Sequence, residues 1–241
     1  MDELRFRRVC WLACAVLLVA SRGEADVLRF DAAGDPFDRS AAFRLDLDLP
    51  VLSRDALVLG AGYAQRSFWT LDNDGGNDRV ETDFAPGVFL RLRRGAWRIE
   101  SAYVHQSNGR LDAASRSWNR AVGRVRRDFG TATFELALWA AFRVEDTNPD
   151  LRRTIGDGEV VWATDPERHW SGEVRLGFTF DPLDGSPITS AAARTTTALP
   201  TGLFPGAGVR GLLEIFWGRG ESLARNEEIA RALRIGLSLR R

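Results

Sequence analysis

The 241-residue chain predicts an all-β protein, an antiparallel transmembrane β-barrel of twelve strands. Three observations lead there. From residue 39 onward apolar and polar residues alternate with a period of two, as they do in strands that have one apolar and one polar face. The polar positions are rich in arginine and acids, which suit a barrel lumen better than a packed core and leave the apolar face for lipid. The chain also opens with an export-type leader, whereas beyond residue 25 no apolar run approaches the roughly 20 residues that a membrane helix needs.

The leader comes first in the chain. Arg5, Arg7 and Arg8 precede an apolar stretch at 9–20, and Gly23 and Ala25 supply small residues before Asp26. This order marks 1–25 as a signal peptide and 26–241 as the barrel domain. Cys10 and Cys14 both fall in the leader, so the mature domain has neither a disulfide framework nor a thiolate metal site.

Strands follow near 39–50, 55–71, 82–94, 97–107, 116–128, 131–144, 158–165, 169–181, 190–200, 208–218 and 229–241. In the first, Phe43, Leu45, Leu47 and Leu49 alternate with Arg44, Asp46 and Asp48. Val88, Leu90 and Leu92 oppose Phe89, Arg91 and Arg93; Phe134, Leu136 and Leu138 oppose Glu135 and Trp139. Val174, Leu176 and Phe178 oppose Glu173 and Arg175, and Leu233, Ile235, Leu237 and Leu239 close the series against Arg234, Ser238 and Arg240. Clusters rich in Gly, Asn, Asp and Pro, at 72–78, 108–114, 145–158, 181–187 and 218–228, separate these runs. Single-chain bacterial barrels have an even strand number, so a twelfth, short strand is expected near 27–32. A soluble β-sandwich carries the same alternation turned inside out. The leader favours the barrel, as do Trp69, Trp97, Trp118, Trp139 and Trp217, because tryptophan prefers membrane interfaces.

Charge is balanced, with 33 basic and 33 acidic residues, which argues against a nucleic-acid partner. Every basic residue other than histidine is arginine. Its planar fork suits phosphates, although codon bias in the source genome accounts for the same preference.

One stretch carries chemistry. His105, Ser107 and Asn119 are the base, nucleophile and orienting amide that an activated serine requires. Residues two apart on a strand share a face and lie about 6.5–7 Å apart, so His105 and Ser107 project together, and Asn119 joins them across a hairpin. Parity fixes which face. Arg98 and Glu100, like Arg120, Arg124 and Arg126, belong to the lumen, so Tyr103, His105, Ser107 and Asn119 face outward. A polar group facing lipid is costly unless paired, which argues for a function exercised on a lipid substrate. His169, beside Asp165, Pro166 and Glu167, reads as a solvated turn. No Gly-x-Ser-x-Gly elbow is present.

The segments His105-Gln106-Ser107-Asn108-Gly109-Arg110 and Ser115-Arg116-Ser117-Trp118-Asn119-Arg120 resemble the signature of the outer-membrane phospholipase A family. Tyr63-Ala64-Gln65-Arg66-Ser67-Phe68-Trp69, Glu81-Thr82 with Pro86, Asn148-Pro149-Asp150 and the 218–223 stretch agree in order, so the resemblance covers roughly 39–241. It implies a twelve-stranded barrel of the bacterial outer membrane that hydrolyses acyl esters of membrane glycerophospholipids, needs calcium and is active as a homodimer. By position, Ser107 takes the role of nucleophile, His105 of general base and Asn119 of orienting residue, while the Gly109 N–H helps bind the oxyanion. The Arg110 carbonyl and Ser115 hydroxyl hold calcium, and a backbone oxygen near Gly76 of the partner copy completes that site. For a second calcium site the family carries an acid where Thr147 stands here, which leaves that site either absent or moved to the neighbouring Asp146. The alternatives are a lipid A deacylase, also a serine esterase of this membrane, and a structural or pore-forming barrel without enzymatic activity.

Overall fold

The structure, a computed structural model, describes residues 27–36, 40–70, 79–108, 117–145, 157–165, 168–180, 187–199, 208–218 and 230–240. The leader assigned to 1–25 lies outside them. Twelve described strands form one closed antiparallel barrel: β1 Val27–Asp35, β2 Ser40–Arg54, β3 Leu57–Thr70, β4 Arg79–Arg94, β5 Trp97–Asn108, β6 Ser117–Asp128, β7 Ala132–Glu145, β8 Asp157–Thr164, β9 Trp170–Thr179, β10 Ile188–Ala198, β11 Gly208–Gly218 and β12 Ala230–Arg240. Each strand pairs with its sequence neighbours, and β12 pairs with β1, Phe30 opposite Leu239 and Ala32 opposite Leu237. Closure removes every raw sheet edge, which a barrel in lipid must do.

The expected strands match the observed ones to within a few residues, and the twelfth is β1. Its apolar positions Leu28 and Phe30 and its charged positions Arg29 and Asp31 continue the alternation of β2, with Leu28 opposite Leu47 and Asp31 opposite Arg44. Leu28, Leu45 and Leu47 are buried, with Phe30, Leu49, Tyr63 and Leu239 packed against them, so the seam between first and last strands has its own apolar cluster. Elsewhere the outward side chains stand open to the surroundings: Val88, Leu90, Ile99, Val174, Leu176, Ile215, Ile235 and Leu237 are all exposed. So large an apolar surface belongs in hydrocarbon.

Inside, charge is paired across strands. Arg91, 2% exposed, donates to Asp48 at 2.6 Å and to Glu100 at 2.7 Å, and Arg124 caps the other oxygen of Glu100. Arg194 forks onto both oxygens of Asp31 at 2.6 and 2.7 Å, joining β10 to β1 across the lumen. Within β9 Arg175 binds Glu173 at 2.6 Å, and Arg234 binds Glu214 of the neighbouring strand at 3.0 Å. Arg210 is buried on hydroxyl and carbonyl oxygens of Thr196, Ser171, Arg168 and His169. A lumen crossed by such bridges is a charged plug rather than a channel.

Two inward positions differ from the plain arginine-and-acid expectation. Phe89 points into the lumen, 5% exposed, with the Arg91 guanidinium 4.3 Å above its ring. Its ring fills the space a Cβ on Gly60 would need, the contact being 2.4 Å to Phe89 Cζ, so residue 60 must be glycine. Trp139 corrects the placement of tryptophans in the interfacial belt. Its indole N–H donates inward to Asp157 at 3.3 Å and Arg120 lies 6.0 Å from its ring, because an indole that finds a carboxylate and a cation in the lumen gains more there than at the membrane surface. Trp97 and Trp217 do face outward, near opposite ends of the barrel.

Turns of two or three residues at 55–56, 95–96 and 129–131 mark one end, and longer connections, among them 71–78, 109–116, 146–156 and 219–229, mark the other. Outer-membrane barrels keep short turns periplasmic and long loops external, which puts the β5–β6 connection at the external rim.

Candidate active site

The site is built on the paired ends of β5 and β6. Their register sets Tyr103 opposite Ala121, His105 opposite Asn119 and Ser107 opposite Ser117; on the other side Ser107 pairs with Phe84 of β4. Trp97, Ile99 and Tyr103 on β5 are exposed, whereas Glu100 between them is buried, so the odd-numbered face looks out of the barrel. His105 and Ser107 continue that face and are half-buried. On β6 Ala121, Gly123 and Val125 are exposed and Val122 is buried, so Asn119 also looks out. Two neighbouring strands therefore bring a hydroxyl, an imidazole and a carboxamide to one patch of the outer wall.

Hydrogen bonds organise the patch. His105 Nδ1 lies 2.9 Å from Asn119 Oδ1. An amide oxygen accepts only, so the ring carries its proton on Nδ1 and presents the Nε2 lone pair. Tyr103 donates its hydroxyl to the same Asn119 oxygen at 2.7 Å. Among the described residues Ser107 makes no hydrogen bond to His105. Nucleophile–base bonds are often loose before substrate arrives.

A register shift in the β6–β7 pairing falls between Asn119, opposite Arg143, and Arg120, opposite Ala141. Such bulges are common next to functional sites, and here the extra residue lies on β7, opposite the step from outward Asn119 to lumenal Arg120. Beside the site a second polar stripe crosses the outer face: Tyr63 donates to Gln65 at 3.0 Å, Gln65 to Ser67 at 3.1 Å and Thr82 to Ser67 at 3.1 Å. Gln65 pairs with Phe84, the β4 neighbour of Ser107, so the stripe abuts the site. Mutual bonding offsets the cost of these groups in lipid.

The structure thus brings His105, Ser107 and Asn119 together. Gly109, Arg110, Ser115, Gly76 and Asp146 lie outside the described residues. His169 is exposed at the short-turn end, edge-on to Trp170, far from this patch. Tyr103 is the contributor that motif reading passed over, although its parity with His105 already placed it on the same face.

The sequence profile of the family described as Phospholipase A1 matches residues 38–239. The chain belongs to the phospholipase A1 family. Phospholipase A1 of Klebsiella pneumoniae is 29% identical, the alignment covering 80% of this chain and 68% of that protein. Phospholipase A1 of Escherichia coli K12 is 31% identical over 64% of this chain and 61% of its own length, so this chain spans less than two thirds of the latter. Among solved structures, the Salmonella typhi outer-membrane phospholipase dimer with bound calcium superposes with a TM-score of 0.66 at 23% identity, over 89% of this chain and 90% of that one. The E. coli outer-membrane phospholipase A, solved as an active-site asparagine-to-alanine mutant, superposes with a TM-score of 0.62 at 22% identity, over 90% and 89%. Phospholipase A1 membership and the twelve-stranded closed barrel together make the chain a protein of the bacterial outer membrane.

Proposed function

We propose that this chain is a calcium-dependent phospholipase A that cleaves acyl esters of glycerophospholipids, including lysophospholipids, with Ser107 as nucleophile, His105 as general base and Asn119 as the group that orients it. The observation that carries the reading is the His105–Asn119 hydrogen bond on the lipid-facing wall, with Ser107 on the same face. A site on that wall meets its substrate in the bilayer, and neither an export pore nor a structural barrel has use for it. Family membership and the active-site asparagine of the E. coli relative support the same assignment.

The chemistry follows from the protonation state. Ser107 Oγ attacks the ester carbonyl carbon as its proton passes to His105 Nε2, and the Nδ1–H bond to Asn119 steadies the imidazolium that forms. Breaking the acyl–oxygen bond returns that proton to the glycerol oxygen and leaves acyl-Ser107. A water then gives its proton to His105 and its oxygen to the acyl carbon, and release of the fatty acid restores Ser107. The Gly109 N–H binds the oxyanion, the kind of donor that contributes most when aimed at developing charge.

The calcium donors, the Arg110 carbonyl and the Ser115 hydroxyl, are oxygen ligands that fit a hard cation. They belong to the 109–116 segment, which links the ends of β5 and β6 that carry Ser107 and Asn119. Held by those two oxygens, calcium would supply electrostatic stabilisation of the oxyanion. A backbone oxygen near Gly76 of a second copy completes the set, so the active form is a homodimer, and Asp146 serves a second calcium site.

Replacing Ser107 by Ala tests the core of this reading. Fatty-acid release from micellar phospholipid should fall by roughly a thousandfold or more while the barrel keeps its heat-modifiable migration. Hydrolysis at the unaltered rate would refute it.

A further inference from the structure

We propose that Tyr103 is a positioning residue of this esterase site: its hydroxyl holds the Asn119 carboxamide with the oxygen, rather than the amino group, toward His105. The inference rests on the roles of Ser107, His105 and Asn119 proposed above.

Asn119 Oδ1 lies 2.7 Å from Tyr103 Oη and 2.9 Å from His105 Nδ1. A carboxamide is nearly symmetric in shape. Rotated by half a turn, it would set its amino group against Nδ1 and so move the ring proton to Nε2, the atom that must take the Ser107 proton. Nothing in the Asn119–His105 pair alone forbids this, since a neutral imidazole accommodates either partner. A third group has to choose. A phenol donates better than it accepts, because its ring draws on the oxygen lone pair, so Tyr103 favours the oxygen on its side and hence the Nδ1–H form of His105.

The fold delivers this contact by register. Tyr103 stands two residues before His105 on β5, and Asn119 two residues before Ala121 on β6, so Tyr103 and Asn119 are diagonal neighbours on one face. Long aromatic side chains reach across that diagonal. The residue directly opposite Tyr103 is Ala121, whose methyl leaves the diagonal clear. Tyr103 is 45% exposed on the lipid-facing wall. The rival explanation is therefore that Asn119 merely helps to satisfy a phenol that stands in hydrocarbon.

The full-length barrel in detergent micelles separates the two. Tyr103→Phe keeps the ring and removes only the donor. It should lower kcat on micellar phospholipid by about tenfold, the upper size of one lost hydrogen bond between neutral groups, with KM changed less than about twofold. Tyr103→Phe combined with Asn119→Ala should be no slower than Asn119→Ala alone, because the effect passes through that amide. Nitrogen NMR should report His105 as the Nδ1–H tautomer in the parent and as a mixture in Tyr103→Phe; the chain has only two histidines, His105 and His169, which keeps assignment simple. A parent-like kcat and tautomer in Tyr103→Phe, or losses that multiply in the double variant, overturn the proposal. If Ser107→Ala instead hydrolyses like the parent, the underlying assignment fails, and the NMR result still reports whether Tyr103 sets the tautomer.

Discussion

At the scale of single residues, the patch around His105 is a set of polar groups placed where they cost most and bonded so that they cost least. Asn119 accepts from both Tyr103 and His105 on one oxygen, which leaves the base nitrogen free. Asn119→Ala should reduce kcat by roughly ten- to a hundredfold, the value of a hydrogen bond to an imidazolium, with KM little altered; an equal loss in 1/KM would point to substrate binding instead. The lumen poses a different problem, that of charges crowded together inside the barrel. Arg91→Met removes the shared partner of Asp48 and Glu100, and breaking a buried pair costs about 3–5 kcal/mol. A lowered urea midpoint for unfolding in detergent, at parent-like specific activity of the folded fraction, is the expected result.

At the scale of elements, parity carries most of what was legible. Arg98 and Glu100 on β5 and Arg120 and Arg124 on β6 can only be lumenal, and that suffices to turn His105, Ser107 and Asn119 outward. Trp139 shows the limit of the same reasoning. Its parity with Glu135 put it inside, but its residue type argued for the membrane surface, and the partners that decide the matter, Asp157 and Arg120, come from neighbouring strands. Tyr103 was placed correctly yet given no role, because a diagonal contact depends on register, and register across a hairpin rests on how many residues the connecting loop takes up. The shift at Asn119 and Arg120 was likewise invisible, since one extra residue on β7 leaves no mark in composition. The seam offers an element-level test. A Cβ on Gly236 of β12 would sit 2.0 Å from the Ala32 carbonyl oxygen of β1. Gly236→Ala should therefore loosen the β12–β1 pairing and lower the temperature at which the barrel unfolds in heat-modifiability gels, whereas Gly123→Ala, with nothing within 4 Å, should leave it unchanged.

For the whole molecule, the division of labour is between a sealed interior and a working exterior. With Arg194 bridged across the lumen to Asp31 and Arg91, Arg210 and Arg234 bonded to nearby strands inside it, the purified protein should give no stepwise conductance in planar bilayers. Excess chelator should stop hydrolysis and added calcium restore it, because the oxyanion donors proposed in the 109–116 segment are organised by that ion; full turnover in chelator would remove calcium from the scheme. The bridge from Arg194 to Asp31 spans 163 residues, and β1 finds its second neighbour only in the final strand. While the polypeptide is being delivered across the envelope, Asp31 has only Arg29 of its own strand for a cation, and β1 lacks half its backbone partners. A chain that lost β12 to a nick or a premature stop would leave β1 and β11 as two open edges in hydrocarbon, where every unpaired backbone group is costly.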